Sequence, residues 1–164
     1  MADAEEAKAA PATINQTGSC HCGSIEFIAE GAIIFNGLCH CKNCTRNRGV
    51  SPCHLIGVAP KSGVRVTKGE EFVTTYIGES GTVSRCFCSK CGSLVNQGPV
   101  GMDFRAVLPV SFNIDGLLPE EYMPKAHLNY ESRLLNASDA LPKFQGFPDN
   151  GVMMTNEGAI IEKS

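Results

Sequence analysis

Nine cysteines are the residues of this chain best suited to chemistry, and most of them lie in three short motifs. The motifs read GSCHCGS, CHCKNC and CFCSKCGS. A cysteine can act as a nucleophile, a redox group or a metal ligand, and the surroundings of the thiolate decide which. Cysteine pairs separated by one or two residues, with a glycine that permits a tight turn, are typical of zinc sites.

The first and third motifs together predict one structural zinc site. Each motif supplies a pair of thiolates, and Zn²⁺ accepts four thiolates in a tetrahedral arrangement. Binding of the metal would add to the free energy of folding by joining two distant segments. Four unrelated buried cysteines are the alternative, which the paired spacing disfavours. The predicted ligands of this site are Cys20, Cys22, Cys88 and Cys91.

The second motif predicts a different kind of site, because it holds three cysteines: Cys39, Cys41 and Cys44. Three protein ligands leave one zinc position open, which is the property of catalytic sites. Cys53 or Cys86 is the alternative fourth ligand, and either would make the site structural. The intervening histidine at position 40 should point the other way, because successive side chains of an extended run alternate.

The composition predicts the kind of scaffold that positions these cysteines. The chain has 164 residues, 43% of them hydrophobic and 19% charged, with 17 glycines and no tryptophan. Val, Ile, Thr and Phe gather in short runs, which favours a mainly β fold of one small, zinc-stabilised antiparallel domain with one or two helical turns. The net charge of −3 disfavours a nucleic acid partner.

Apolar runs and glycines predict where the elements lie. Residues 24–31 and 32–40 are predicted as two strands around a glycine turn, followed by a third strand at 51–58. Residues 63–88 alternate polar and apolar side chains, which predicts an antiparallel meander that continues towards residue 133. Helix is predicted only in KNCTRNR and in LPEEY at 118–122.

The absence of recognisable targeting and membrane segments in the sequence predicts the compartment of the protein and the redox state of its cysteines. The N-terminal stretch has neither the apolar centre of a secretory signal nor the bias of a transit peptide, so we expect the cytoplasm or the nucleus. No run approaches the ~18 apolar residues of a membrane span. Thiols stay reduced in these compartments, which favours metal binding over disulfides.

The three motifs, in this order and at these separations, resemble the glutathione-dependent formaldehyde-activating enzyme / centromere protein V family. Weaker resemblance continues through KGEEFVTTY, HLNYESRL and LPKFQG. We therefore predict a disordered tail at 1–14, a family-like zinc domain at 15–147, and a C-terminal extension at 148–164. The extension carries a hairpin signal, with strands near 152–155 and 159–162.

The family resemblance implies a complex, β-tent-like fold with two zinc ions, one at each cysteine group. It also implies carbon–sulfur lyase chemistry, the reversible formation of S-hydroxymethylglutathione from formaldehyde and glutathione. Glutathione or a glutathione adduct is then the expected partner. Arg46 and Arg48 follow the second motif and are candidates to hold its carboxylates, although a solvated basic turn is the alternative. Arg85 and Arg133 are weaker candidates, each as an anion contact or as a cross-strand ion pair.

A noncatalytic zinc-bound β module that binds a protein, or less plausibly a nucleic acid, is the competing interpretation. The open site distinguishes the two. An enzyme should hold two zinc ions and change its coordination at one of them when glutathione is added. A binding module should hold two inert, four-coordinate ions.

Overall fold

A computed structural model describes residues 11–162 and shows a mainly β fold, which confirms the predicted fold class. In this part of the chain, eleven strands form one sheet. The described residues also contain one α-helix, α1 (Lys42–Arg48). The strands are β1 (Thr13–Ser19), β2 (Glu26–Cys39), β3 (Cys53–Ala59), β4 (Val64–Lys68), β5 (Val73–Ile77), β6 (Val83–Cys88), β7 (Leu94–Pro99), β8 (Arg105–Val107), β9 (His127–Leu128), β10 (Lys143–Phe144) and β11 (Met153–Met154). Short 3₁₀ turns lie at Lys61–Gly63, Glu70–Phe72, Pro109–Ser111, Glu120–Tyr122, Tyr130–Ser132 and Pro148–Asn150.

The long strand β2 is the centre of the sheet. Its first half lies between β1 and β4, and its second half lies between β3 and β9. The main path of the sheet runs β11-β10-β9-β2-β3-β8-β7-β6-β5. Most pairs are antiparallel, but β9 pairs in parallel with both β2 and β10. The last residue of β2, Cys39, therefore lies between two strands near the middle of the sheet.

The predicted turn at Gly31 is wrong, because β2 runs through it without a break. Gly31 has φ 145°, a conformation that favours glycine, and a Cβ there would lie 2.4 Å from the carbonyl oxygen of Ala59. The glycine thus permits a close approach of two strands rather than a reversal of the chain. A bulge follows between Ile33 and Phe35 in the pairing with β3.

The predicted meander is present from β5 to β8, but β4 does not belong to it. β5, β6, β7 and β8 pair in order as antiparallel neighbours, whereas β4 pairs with the first half of β2. The apolar face of β4 explains the difference, since Val64 is buried in the main core together with Phe27 and Ile25. Burial of that face against β2 removes more apolar surface from water than an exposed pairing with β5.

The predicted N-terminal tail differs from the structure, whereas the predicted C-terminal pairing is present in a shorter form. Residues 1–10 of the predicted tail lie outside the described residues. The rest of the predicted tail contains the start of β1, at Thr13. Ile14, 2% exposed, is buried in the core and pairs with Gly31. At the other end β11 pairs with β10, and a single bridge joins Met154 to Ile160. The Thr155 amide also donates to the Ala159 carbonyl at 2.8 Å, and the Ile161 amide donates to the Met153 carbonyl at 2.9 Å. The predicted pairing of residues 152–155 with 159–162 is therefore present, although only Met153–Met154 forms a strand.

The helix predictions agree with the structure. KNCTRNR forms α1 with the predicted bounds, and LPEEY contains the 3₁₀ turn Glu120–Tyr122. Within residues 11–162, none of the helices has the length and apolar character needed to cross a membrane.

Candidate metal centres

Two tight turns build the first candidate metal site, which we call the four-cysteine cluster (Cys20, Cys22, Cys88 and Cys91). One turn follows β1 and the other connects β6 to β7. In each turn a glycine donates its backbone N–H to the carbonyl of the first cysteine, Gly23 to Cys20 at 2.9 Å and Gly92 to Cys88 at 2.8 Å. Both glycines have positive φ, 71° and 74°, which other residues rarely adopt.

The four-cysteine cluster has the dimensions of a tetrahedral zinc site. All four Sγ atoms lie within 4.8 Å of one another. The Cys20 and Cys22 sulfurs are 3.6 Å apart, and the Cys22 and Cys88 sulfurs are 3.9 Å apart. Four sulfurs at ~2.3 Å from one ion are separated by roughly 3.8 Å, so the cluster fits Zn²⁺ without rearrangement.

Hydrogen bonds around the four-cysteine cluster favour thiolates. Bonds from Ser24 lower the pKa of Cys22, and bonds from Ser93 lower the pKa of Cys91 to about 5. Burial raises the pKa of Cys88, which lies at the base of the cluster. The Ile25 amide also donates to the Cys20 sulfur at 3.2 Å. The sequence places donors beside the sulfurs, as a metal-thiolate site requires.

The second centre, the three-cysteine cluster, forms where β2 passes into α1. Cys39 ends β2, Cys41 is the N-cap of α1, and Cys44 lies in the first helical turn. The three sulfurs lie within 4.8 Å of one another. The Cys41 sulfur accepts the Cys44 amide at 3.3 Å, so one ligand also caps the helix that carries another.

Two amide side chains support the three-cysteine cluster from other strands. Asn129 Nδ2 donates to the Cys39 sulfur at 3.5 Å, and Gln97 Nε2 donates to the Cys44 sulfur at 3.6 Å. The Gln97 oxygen in turn accepts from Arg48 Nη2 at 2.7 Å. Sequence reasoning missed Asn129 and Gln97, because they reach the cluster through β9 and β7 pairing and carry no spacing signal of their own.

The three thiols of this cluster strongly influence one another's ionisation. Hydrogen bonds with Cys41 and Cys44 raise the pKa of Cys39 far above its usual value. Hydrogen bonds from Cys39 and Cys41, with help from Gln97 and the charge of Arg48, lower the pKa of Cys44 to about 2. One thiolate therefore suppresses ionisation of its neighbour, and a divalent cation between them would allow all three to ionise.

Neither predicted alternative ligand completes the three-cysteine cluster. Within residues 11–162, no further His, Cys, Asp or Glu ligand atom lies within 4.8 Å of all three sulfurs. Cys53 pairs with Cys39 across β2 and β3, but burial raises its pKa and its thiol points to the His54 carbonyl at 3.9 Å. Cys86 lies on β6 against Thr75, 3.5 Å from its hydroxyl.

A cavity of about 260 Å³ lies against the three-cysteine cluster. Its apolar wall contains the rings of Phe35, Phe104 and Phe147, of which Phe35 meets the other two edge to face. Its polar side chains are Asn43, Arg85, Gln97 and Asn129. The described residues that line it include no histidine or carboxylate, so the three sulfurs are its most reactive groups.

The two arginines predicted to bind glutathione occupy different places. Arg46 is exposed and lines a second, more polar cavity of about 420 Å³ next to the first. Arg48 does not line the cavity at the cluster. It lies behind the cluster, where its guanidinium bonds to the Cys44 carbonyl and to Gln97. Arg46 is therefore accessible from solvent at the second cavity, whereas Arg48 supports Gln97.

His40 points away from the three-cysteine cluster, as the strand alternation predicts. Its Nε2 lies 2.8 Å from Nδ1 of His127, whose Nε2 lies 2.9 Å from the Asp139 carboxylate. Burial lowers the pKa of His40 to about 4. Burial raises the pKa of Asp139, but hydrogen bonds from Lys143 and His127 outweigh it and lower that pKa to about 2. This chain of contacts anchors the backbone between two cysteines to β9 and β10.

Comparison with known proteins adds two findings. The sequence model described as glutathione-dependent formaldehyde-activating enzyme matches residues 15–132, a range that contains both cysteine clusters. Among solved structures, the chain is similar to the crystal structure of a Rhodobacter sphaeroides protein, with a TM-score of 0.50 and 24% identity. That match covers 65% of this chain and 94% of the other. At this identity the structural likeness bears on the fold alone.

Proposed function

The chain belongs to the glutathione-dependent formaldehyde-activating enzyme family, and from this premise we propose that it is a zinc-dependent carbon–sulfur lyase. The family match confirms the resemblance that the three cysteine motifs indicated. The proposed reaction is the reversible formation of S-hydroxymethylglutathione from formaldehyde and glutathione. The observation that carries the proposal is the incomplete three-cysteine cluster beside a cavity.

We assign the two clusters different metal roles. The four-cysteine cluster provides a full tetrahedral set and would hold a structural zinc ion. The three-cysteine cluster would hold a second zinc ion through Cys39, Cys41 and Cys44. That ion would supply the charge that lowers the pKa of a substrate thiol taken into the open coordination position.

The protein side chains position the reacting groups. The amides of Asn129 and Gln97 keep the cysteine sulfurs oriented, since each donates to one of them. The aromatic rings give the cavity an apolar wall beside the three sulfurs. The exposed guanidinium of Arg46 is accessible to a carboxylate of glutathione.

The reaction is balanced without an oxidant. The glutathione sulfur loses its proton and bonds to the aldehyde carbon, while the carbon–oxygen double bond becomes a single bond and the oxygen takes up a proton. His40 is not available for this proton, because its ring bonds to His127 on the other side of β2. We therefore assign proton delivery to solvent water.

Zinc stoichiometry and X-ray absorption, measured with and without glutathione, test this function. We expect two zinc ions per chain and a glutathione-dependent change in coordination at one of them. Cys44→Ser should hold one zinc ion and consume no formaldehyde. Cys53→Ala and Cys86→Ala are matched controls that remove a thiol outside both clusters and should behave as the natural chain.

One outcome would favour the competing noncatalytic module. If both ions have four protein sulfurs before any thiol is added, and Cys53→Ala removes one of those sulfurs, the second site is structural. The proposed reaction would then have no position for the glutathione sulfur.

A further inference from the structure

We propose that Arg85 is an anion-binding residue of the cavity and receives a carboxylate of the substrate. This inference rests on the proposed function, and it narrows the substrate class to thiols and thiol adducts that carry a carboxylate. Formaldehyde has no charge, so the anion must come from the thiol partner.

The strand pairing brings Arg85 to the same face as the three-cysteine cluster. Arg85 lies on β6 directly opposite Gln97 on β7, and side chains of directly opposed residues share one face of a sheet. Gln97 contacts the Cys44 sulfur. Arg85 also lines both the cavity at the cluster and the neighbouring polar cavity that Arg46 lines. One guanidinium therefore borders the reaction site and the adjacent space for the rest of a peptide.

The charge of Arg85 is buried without compensation. The residue is 8% exposed, and its Nε is buried with no hydrogen-bond partner. Among residues 11–162, no carboxylate lies within the 4.0 Å of a salt bridge to it. An unpaired buried guanidinium is unfavourable, since it loses its hydration and gains no counter-charge.

Lys143 shows how this fold satisfies a buried cation that has only a structural role. It is 2% exposed, and its Nζ donates to the Asp139 carboxylate at 3.0 Å and to the Leu141 carbonyl at 2.8 Å. Arg85 has no such set of acceptors and faces a cavity instead. A guanidinium with free donors directed at a cavity matches the two oxygens of a carboxylate.

Calorimetric titration of the zinc-loaded protein with S-methylglutathione and with its diethyl ester tests the proposal. The methyl group blocks the thiolate, and the ester groups remove the negative charge of the carboxylates. We expect the natural chain to bind S-methylglutathione roughly tenfold to a hundredfold more tightly than the ester, the range for a hydrogen bond to a charged group. Arg85→Gln should lose most of this preference and keep only the part that Arg46 supplies, and Arg85→Lys should keep more of it.

Arg65→Gln is the matched control, because Arg65 lies on β4 with an exposed side chain paired to Glu30. It should keep the full preference. Equal binding of the two ligands by the natural chain would overturn the proposal without any variant. A folded Arg85→Gln chain that keeps the preference but binds zinc less tightly would also overturn it, and would make Arg85 a counter-charge to the metal-bound thiolates.

Failure of the proposed function gives a different result. If glutathione binds no more tightly than S-methylglutathione, the thiol does not reach the metal and the lyase reaction is excluded. The preference for the charged ligand over its ester reports on Arg85 independently of that comparison.

Discussion

At the residue scale, side chains from other parts of the sheet hold the sulfurs of the three-cysteine cluster in place. Gln97 joins Cys44 to Arg48, with its amide nitrogen on the sulfur and its oxygen on the guanidinium. Such partners fix the orientation of a metal ligand and stabilise its charge. The N-terminal end of α1 and the strand β7 are thereby connected through one amide.

We expect Gln97→Leu to weaken zinc binding at the three-cysteine cluster by roughly tenfold to a hundredfold. The substitution removes the donor to Cys44 and leaves the Arg48 guanidinium without its best acceptor. Competition with a chromophoric chelator measures the affinity of each ion separately. Gln16→Leu is a suitable control, because it removes the same amide and the Gln16 side chain donates to the Tyr122 hydroxyl instead of to a cysteine sulfur. Unchanged affinity in Gln97→Leu would show that the amide contact has no effect on the metal.

At the element scale, β2 depends on one residue that lets neighbouring strands approach. Gly31 lies where β1, β2 and the end of β3 meet, and its φ is 145°. The Ala59 carbonyl oxygen occupies the space that a Cβ at this position would need. Any other residue there meets both a backbone clash and an unfavourable φ. The path of β2, and with it the position of Cys39, follows from this glycine.

We expect Gly31→Ala to lower the free energy of unfolding by about 1–3 kcal/mol, the range for a strained backbone position. A Cβ at Gly101 would meet no atom within 4 Å, so Gly101→Ala is a control that adds the same methyl group without a clash. Urea unfolding of the two variants measures the difference. Equal midpoints would mean that β2 and β3 can separate at little cost.

The four-cysteine cluster connects distant elements, because it joins the turn after β1 to the turn between β6 and β7. We expect Cys91→Ser to lose one zinc ion and to unfold at a clearly lower temperature, since metal binding adds to the free energy of folding. Cys44→Ser should lose one zinc ion but keep most of the thermal stability. Zinc content and thermal unfolding of both variants test this expectation. A lower melting temperature for Cys44→Ser than for Cys91→Ser would mean that the three-cysteine cluster holds the structural ion.

At the scale of the whole molecule, stability should depend on pH through a half-buried histidine, His54. Burial lowers the pKa of His54 to about 4, from 6.5. Its Nε2 lies 2.8 Å from the Asn36 amide oxygen. The imidazole therefore stays neutral in the folded protein at pH values where the unfolded chain protonates it.

We expect the free energy of unfolding to fall as the pH drops from 6.5 to about 4. In this window the unfolded state binds more protons than the folded state, so acid favours unfolding, by up to about 1.4 kcal/mol per pH unit. Above the unfolded pKa the contribution of His54 is constant. His54→Gln should show a shallower fall over the same range. Parallel pH profiles of the two proteins in urea unfolding would contradict this assignment.

Local features of the sequence determined the ligand groups, the helix and the fold class. The spacing of the cysteines places them in tight turns and at one helix start, and these are short-range arrangements that hold in any fold. Cys41 and Cys44 needed only one helical turn to come together. The alternation of apolar residues indicated strands for the same reason, since the period of two is a local property.

Only the tertiary structure decided how those pieces meet. The pairing of β2 with four other strands turned a predicted hairpin into one continuous strand. Pairing with β9 brought Asn129 to the Cys39 sulfur, and the pairing of β6, β7 and β8 brought Gln97 to the Cys44 sulfur and Arg85 to the cavity. Such contacts join residues that are far apart in the chain, and their free energy comes from burial shared by the whole sheet. No spacing within the sequence encodes them, because strand order is chosen by that shared core.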